Sequence, residues 1–453
     1  MKHFLHLCCH NVTVGYNSIK KYVFLFYKLF EIFYLCSGFF GQPRAAESGG
    51  QQMYMKSIRE IYRIGKGPSS SHTMGPHQAS KVYLSHHGDA HRFHVRLYGS
   101  LAATGKGHLT DVAINEVLSQ AGPVEIEWLP KVFMDEHPNA MTIATVDDDG
   151  HLRDEWTFYS IGGGAIRCDQ LPGVESPDIY PLNTMTELLD WCNRNGKAYW
   201  EYVEEIEDGD INDYLLEVWK VMQESIERGL DREGVLPGPL HLRRKAASYF
   251  IRAEGYKDVL RTRGLIFAYA LAVSEENASG GTIVTAPTCG SCGVLPSVLY
   301  HLKKVYDFSD RRIIRSLATA ALVGNVVKTN ASISGAEVGC QGEVGVACAM
   351  TAAAANQLMG GTPAQIEYAA EMGLEHHLGM TCDPVCGLVQ IPCIERNAYA
   401  AARALDANIY ASYTDGLHRV SFDQVVRVMK QTGKDLPSLY KETGEGGLAA
   451  EVE

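Results

Sequence analysis

Residues 345–359 read GVACAMTAAAANQLM, small or apolar at nearly every position and without a charge. A helix that is apolar around its whole circumference has to be enclosed on all sides. This run therefore predicts a buried helix, and the Gly, Ala and Ser runs on either side predict neighbours packed closely around it. Gly360 and Gly361 stop it. Thr362 as N-cap, Pro363 at the first helical position and Gln365 two residues on then start the next helix, expected to reach about 379. Upstream, Ile211, Leu215, Val218, Trp219, Met222 and Ile226 recur at helical spacing, with Asp210 as N-cap and Gly229 as the residue after the last turn.

At roughly 150 residues per domain, 453 residues predict two or three domains. Residues 210–449 read as an all-α domain. Residues 53–200 read differently. Phe93, Val95 and Leu97 alternate with polar residues, VEIEWL, AMTIATV and TFYSIG read as further strands, and Gly75–His86 and Thr110–Gln120 read as helices, the first capped by Ser71 or Thr73. The expected fold is thus an α+β N-terminal domain on a mostly antiparallel or mixed sheet, followed by a larger all-α domain. Residues 1–52 stand apart. YVFLFYKLFEIFYLCSGFF, 22–40, is nearly long enough to span a bilayer, but Lys28 and Glu31 interrupt it, which also disfavours a signal peptide. The segment is read as a non-native or mis-started leader, with Met53 or Met55 as a natural start, and no membrane partner is expected.

Lys plus Arg number 41 and Asp plus Glu 53, a net charge of -12, which argues against nucleic acid as a partner. No Gly-rich dinucleotide or phosphate loop lies between a strand and a helix. Of 12 cysteines, seven fall between 289 and 393. In a reducing cytoplasm, clustered cysteines bind metal or do chemistry more often than they form bridges.

Three stretches carry the chemistry. GPSSSHTMGP, 67–76, puts Ser70, Ser71, His72 and Thr73 before a helix start, where free backbone N–H groups suit a carboxylate or phosphate, although simple capping needs only one of the serines. TGKGHLTD, 104–111, sets His108 at a strand-to-helix turn, a place equally suited to a catalytic or a merely hydrogen-bonded histidine. The third stretch holds the cysteines: Cys340 directly before the buried helix, Cys382, Cys386 and Cys393 in a Pro/Gly-broken loop, and Cys289 and Cys292 in TAPTCGSCG. No zinc, thioredoxin or ferredoxin spacing fits. The spacing reads as a metal or cluster with its ligands undecided, or as small buried residues.

From about 55 to 449 the chain resembles the single-chain iron–sulfur-dependent L-serine dehydratases (L-serine ammonia-lyases). SIREIYRIGKGPSSSHTMGP, YGSLAATGKGHLTD, TAPTCGSCGVLPSVL, KTNASISGAEVGCQGEVG and HHLGMTCDPVCGLVQIPCIERNA carry the resemblance. It implies elimination of water from L-serine to give pyruvate and ammonia, at a [4Fe–4S] cluster held by Cys340, Cys382 and Cys393 with one iron left open. Cys348 and Cys386 are not expected ligands. Cys289 and Cys292 depart from the family's usual TAPTNGAAG and are expected to line the site. His108 is the first choice of base and Lys328, expected beside the cluster, the second; His72 is a further catalytic candidate. Ser70, Ser71 and Thr73 are expected to grip substrate. A homodimer is expected. Long-form members cap the open iron with a terminal cysteine. This sequence has none after Cys393, so no thiolate cap is expected, though Glu453 or its carboxylate is a weaker candidate. A pyridoxal-phosphate enzyme would need a Schiff-base lysine in a phosphate-binding context, which is not found.

Overall fold

A computed structural model describes residues 54–172 and 176–451. The leader and Glu453 lie outside the described residues. A five-stranded sheet forms the N-terminal lobe: β1 (Phe93–Tyr98), β2 (Val124–Leu129), β3 (Ala140–Val146), β4 (Leu152–Ser160) and β5 (Ile166–Cys168), in the order β2-β1-β3-β4-β5. β1 and β2 run parallel and every other pair is antiparallel, so the sheet is mixed, as expected. The parallel pair needs a crossover. The segment between its strands supplies it with helix α2 (Thr110–Leu118), which packs with α1 (Gly75–His86). Phe93, Val95 and Leu97 point into the same core as Ala79, Tyr83, Ile114 and Val117, which is why the alternation in β1 was readable.

The larger helical part contains α3 (Ile211–Asp231), α4 (Asp258–Ala278), α5 (Val294–Tyr306), α6 (Asp310–Asn330), α7 (Val344–Met359), α8 (Pro363–Glu375), α9 (Cys393–Ser412) and α10 (Phe422–Asp435). α7 is the all-apolar run, and it packs against α5, α6, α8 and α9. Its alanines and glycine keep those neighbours close; a Cβ on Gly373 of α8 would sit 2.8 Å from Ala349 Cα. The capping box of Thr362 and Gln365 is present. α8 ends at Glu375, short of the expected 379, because the chain turns at His376–Gly379, where Gly379 has a φ of 81°. No helix among the described residues is long and apolar enough to cross a membrane.

Other expected helix ends are corrected. Asp210 does stand at the N-cap position of α3, but its carboxylate makes no capping bond and takes Arg59 at 2.6 Å instead. Gly229 does not end α3 but is buried within it, and a Cβ there would meet the backbone of Ala272 in α4, with Cα at 2.8 Å. The glycine serves close helix approach, a tertiary reason invisible to local sequence. Neither Ser71 nor Thr73 caps α1. A π-helical turn, Ser70–Met74, runs directly into α1, and Ser69 Oγ caps that turn by accepting from His72 N at 3.0 Å.

The loop from Gly67 to Met74 links the two parts. Ile64–Lys66, just before it, pairs with Thr282–Val284, while α1, just after it, lies on the sheet lobe's core. Met55, Ile58, Ile61 and Tyr62 likewise pack into the helical core. At the end of α4, Asn277 Nδ2 donates to Pro68 O at 2.8 Å. Beside it, the fully buried Glu276 accepts from Arg228, Arg232 and Arg244 at 3.3, 2.9 and 3.2 Å. Gly229→Ala should destabilise the protein by about 1–3 kcal/mol, the usual cost of overpacking a tight contact, measured as a lower urea midpoint.

Candidate active site

Two loops of the sheet lobe hold each other by reciprocal bonds. Thr73 Oγ1 donates to His108 O at 2.6 Å and Thr110 Oγ1 donates to His72 O at 2.6 Å. The two threonines thereby fix the backbone of both histidines, whose ring centroids stand 4.5 Å apart. Thr73 was expected to touch substrate; its hydroxyl is engaged in this bond instead. Ser70, Ser71, His72 and Thr73 are all buried. Ser71 Oγ lies 2.9 Å from His72 Nδ1, while the hydroxyl of Ser70 makes no hydrogen bond among the described residues.

The hydrogen bonds settle the tautomers of the neutral rings. His72 Nε2 lies 3.0 Å from Ser100 O, a pure acceptor, so Nε2 carries the proton. Burial drives the His72 pKa down to about 4, against the opposing effect of the Ser100 carbonyl. Thr104 Oγ1 donates to Ser100 O at 3.2 Å, so it accepts from His108 Nδ1 at 3.1 Å. His108 Nε2 is then an unprotonated nitrogen with no hydrogen bond among the described residues. Burial, together with His72, holds His108 well below the ordinary histidine value. At neutral pH it is an uncharged base.

The cysteines come from three separate elements. Cys340 opens a short 3-10 turn before α7, Cys393 is the first residue of α9, and Cys382 is bridged to the segment at 440–442. Cys382 N donates to Tyr440 O and Glu442 N to Cys382 O, each at 2.8 Å. Glu343 Oε2 lies 3.8 Å from Cys340 Sγ and 3.9 Å from Cys382 Sγ. The neighbouring Cys340 thiol and burial push Cys382 well above the ordinary thiol value; burial, then Cys340, does the same to Cys393. Burial raises Glu343, and burial with Glu343 and Cys340 nearby raises Glu442. Arg396 stands close enough to all three thiols to feel their charge.

Glu442 ties the two groups together. Its Oε1 lies 3.5 Å from His72 Nδ1 and its backbone is laddered to Cys382. His72, His108 and Glu442 can offer donor atoms within 4.8 Å of one another, as can Cys340, Glu343 and Cys382. Sequence reasoning missed both carboxylates. Glu343 carried a signal, lying three residues after Cys340. Glu442 carried none, because only the tertiary ladder brings it to Cys382.

The donor chemistry fits a cluster. Cys382 and Cys393, whose pKa values burial and the neighbouring Cys340 raise, become thiolates together only around a cation, and soft sulfur donors suit iron–sulfur clusters or zinc. Cys386 is exposed, with a φ of 54°, and Cys348 is buried within α7. Cys289 is buried with its Sγ 3.8 Å from Met74 Sδ, and its charge environment includes Glu343; Cys292 is buried beside it.

Lys328, expected beside the cysteines, is paired elsewhere. Its Nζ lies 2.8 Å from Glu60 Oε2, and Arg63 holds the other oxygen at 2.6 Å. These residues line a cavity of about 410 Å³ with Glu136, His137 and Arg167. Burial draws the ammonium down and Glu60 draws it back. For Glu60 itself, burial works upward, but Lys328 and Arg63 outweigh it and hold the carboxyl at about 2. Its folded pKa lies below the ordinary 4.5, so the pair stabilises fully above pH 4.5 and loses this contribution as pH falls towards 2. Wild-type protein should therefore be more stable than Glu60→Gln at neutral pH. Urea titrations at stepped pH should show the gap narrowing across that window.

The chain matches two family descriptions, serine dehydratase alpha chain over residues 113–449 and serine dehydratase beta chain over 57–129. It is 39% identical to an L-serine dehydratase of Haemophilus influenzae, across 88% of this chain and 99% of that one. It is 40% identical to an L-serine dehydratase of Streptomyces coelicolor, across 87% and 99%. It is 39% identical to L-serine dehydratase 1 of Escherichia coli, across 88% and 100%. With the alpha-chain and beta-chain parts joined in one polypeptide, and relatives about 40% identical over nearly their whole length, the chain belongs to the serine dehydratase family.

Proposed function

We propose that the protein is an L-serine dehydratase that uses a [4Fe–4S] cluster held by Cys340, Cys382 and Cys393. The observation that carries this reading is Glu442: it shares one donor set with His72 and with His108, whose Nε2 is free to accept a proton, and its own backbone is laddered to Cys382 of the buried thiols. A cluster on three thiolates would supply an open iron, a Lewis acid able to polarise the hydroxyl of serine, which is otherwise a poor leaving group.

The residues of the chain do the rest. His108 Nε2 takes the Cα proton, with Thr104 orienting the ring through Nδ1. Glu442, kept protonated chiefly by burial and next by Glu343 and Cys340, stands beside His72 where the departing hydroxyl needs a proton. Loss of the Cα proton and of water leaves aminoacrylate. It tautomerises to an imine, and water then releases ammonia and pyruvate. The burial of both histidines keeps bulk water from the base. Asp383 and Arg396, paired at 3.3 Å, brace the loop that carries Cys382.

Anaerobic purification with an iron and sulfide count and a pyruvate assay on L-serine tests the reading as a whole. Cys340→Ser, Cys382→Ser and Cys393→Ser should each abolish the visible cluster absorbance and turnover, whereas Cys386→Ser, Cys289→Ser and Cys292→Ser should keep most of the iron. Full iron content in Cys382→Ser would defeat the ligand assignment. His108→Ala should retain the cluster and lose about two to four orders of magnitude in turnover, the range for a general base; unchanged turnover would remove His108 from that role.

A further inference from the structure

Near the turn that carries His72, the sheet lobe and the helical part hold buried polar side chains that the fold does not bond. Asn139 precedes β3 and Ser160 ends β4. Ser160 N donates to Asn139 O at 2.9 Å, continuing the register that sets Ala140 against Tyr159 and Met141 against Phe158. Side chains alternate along a strand, so Asn139 and Ser160 oppose each other on the face that carries Met141 and Phe158. That face is covered by α1 through Ala79 and Tyr83. At the start of α1, a Cβ on Gly75 would collide with Ser160 Oγ. The hydroxyl therefore lies against the first residue of α1, directly after the turn that carries His72.

Asn139 is 0% exposed, and neither Oδ1 nor Nδ2 has a hydrogen-bond partner among the described residues. Ser160 Oγ and Ser334 Oγ, on residues 3% and 2% exposed, are in the same condition. Ser334 comes from the helical part and faces Gly162, where a Cβ would lie 3.6 Å from Ser334 Cβ. The next residue, Gly335, leads to the thiols: a Cβ there would be 3.2 Å from Cys382 Sγ and 2.8 Å from Glu343 Oε2. On the other side, Pro138 O accepts from Ser100 N at 3.2 Å, and Ser100 holds His72. His137 Nδ1 fixes Asn139 by accepting its backbone N–H at 3.0 Å. Buried polar side chains are nearly always bonded, so three unbonded ones between the turn that carries His72 and the thiols point to a polar ligand.

We propose that Asn139, Ser160 and Ser334 bind the charged groups of the substrate, an α-amino acid zwitterion. Asn139 Nδ2 and the two hydroxyls donate to the α-carboxylate, and Asn139 Oδ1 accepts from the α-ammonium. This deepens the reading of the pocket as a serine site and rests on it.

Asn139→Leu is the decisive variant, because it keeps the volume and removes only the unbonded amide. Iron, sulfide and visible absorbance should stay at wild-type levels, and Tm should hold or rise. KM for L-serine should increase at least about tenfold, or about 1.4 kcal/mol. The preference for L-serine over 3-hydroxypropionate, which lacks the ammonium, should shrink as well, with 3-hydroxypropionate measured as a competitive inhibitor. A lower Tm with both ligands weakened equally would overturn the proposal, since Asn139 would then be structural. Unchanged KM and Tm would overturn it too, an ordered water being the partner of the amide. If wild-type protein with full iron made no pyruvate, the functional reading would fall. The rise in Tm on adding L-serine would still decide this proposal: its presence in wild type and loss in Asn139→Leu would support it, and its absence from both would overturn it.

Discussion

The site is governed by the repulsion among groups that would all be negative if ionised. Cys340, Cys382, Cys393, Glu343 and Glu442 are gathered in a space closed to water; burial pushes Glu343 towards its neutral form, and burial together with charged neighbours in the set does the same to Cys382, Cys393 and Glu442. Such a set cannot be ionised without a strong positive charge among it. Arg396 supplies one charge at the edge, already shared with Asp383. The surrounding architecture keeps this unfavourable group assembled: α7 and α9 begin at it and aim their positive ends towards Cys340 and Cys393, while the ladder at 440–442 holds Cys382 and delivers Glu442.

The two histidines meet the opposite requirement, remaining uncharged in the same enclosure. Burial is what keeps them neutral, reinforced at His108 by His72, and it prevails at His72 over the Ser100 carbonyl, which draws that ring the other way. Each ring has one nitrogen bonded to a neutral partner, Ser100 O for His72 and Thr104 Oγ1 for His108. The threonine pair Thr73 and Thr110 sets the loops so that those bonds can form. Removing charge from one side and concentrating latent charge on the other leaves the pocket polar in direction, base on one wall and thiols on the other.

Much of this was legible in the sequence and some could not be. The buried α7, the alternation in β1 and the capping box at Thr362 are local patterns, and local patterns survive folding. Gly229 misled because a glycine near a helix end has the same local appearance whether it stops the helix or lets Ala272 approach. Ser71 and Thr73 misled because three hydroxyls in a row give no hint of which one caps; only the neighbouring loop commits Thr73 to His108. Lys328 was read by its distance along the chain from Cys340, whereas α6 directs it towards Glu60 and Arg63. Glu442 was invisible for the same reason in reverse, since its partner Cys382 is remote in sequence.

Among the described residues, Cys386 is the one exposed cysteine, on a backbone with positive φ between two buried thiols. Its neighbour Gly387 lies against Thr104, and a Cβ on Gly107 would stand 2.7 Å from Gly387 O. Of the described cysteines this sulfur will thus be the first that an alkylating reagent reaches in the native protein, and a fluorophore carried there would report on the seam between sheet lobe and helical part. The same loop that hides Cys382 offers a spectroscopic handle on the contact that closes the pocket, without a new residue being introduced.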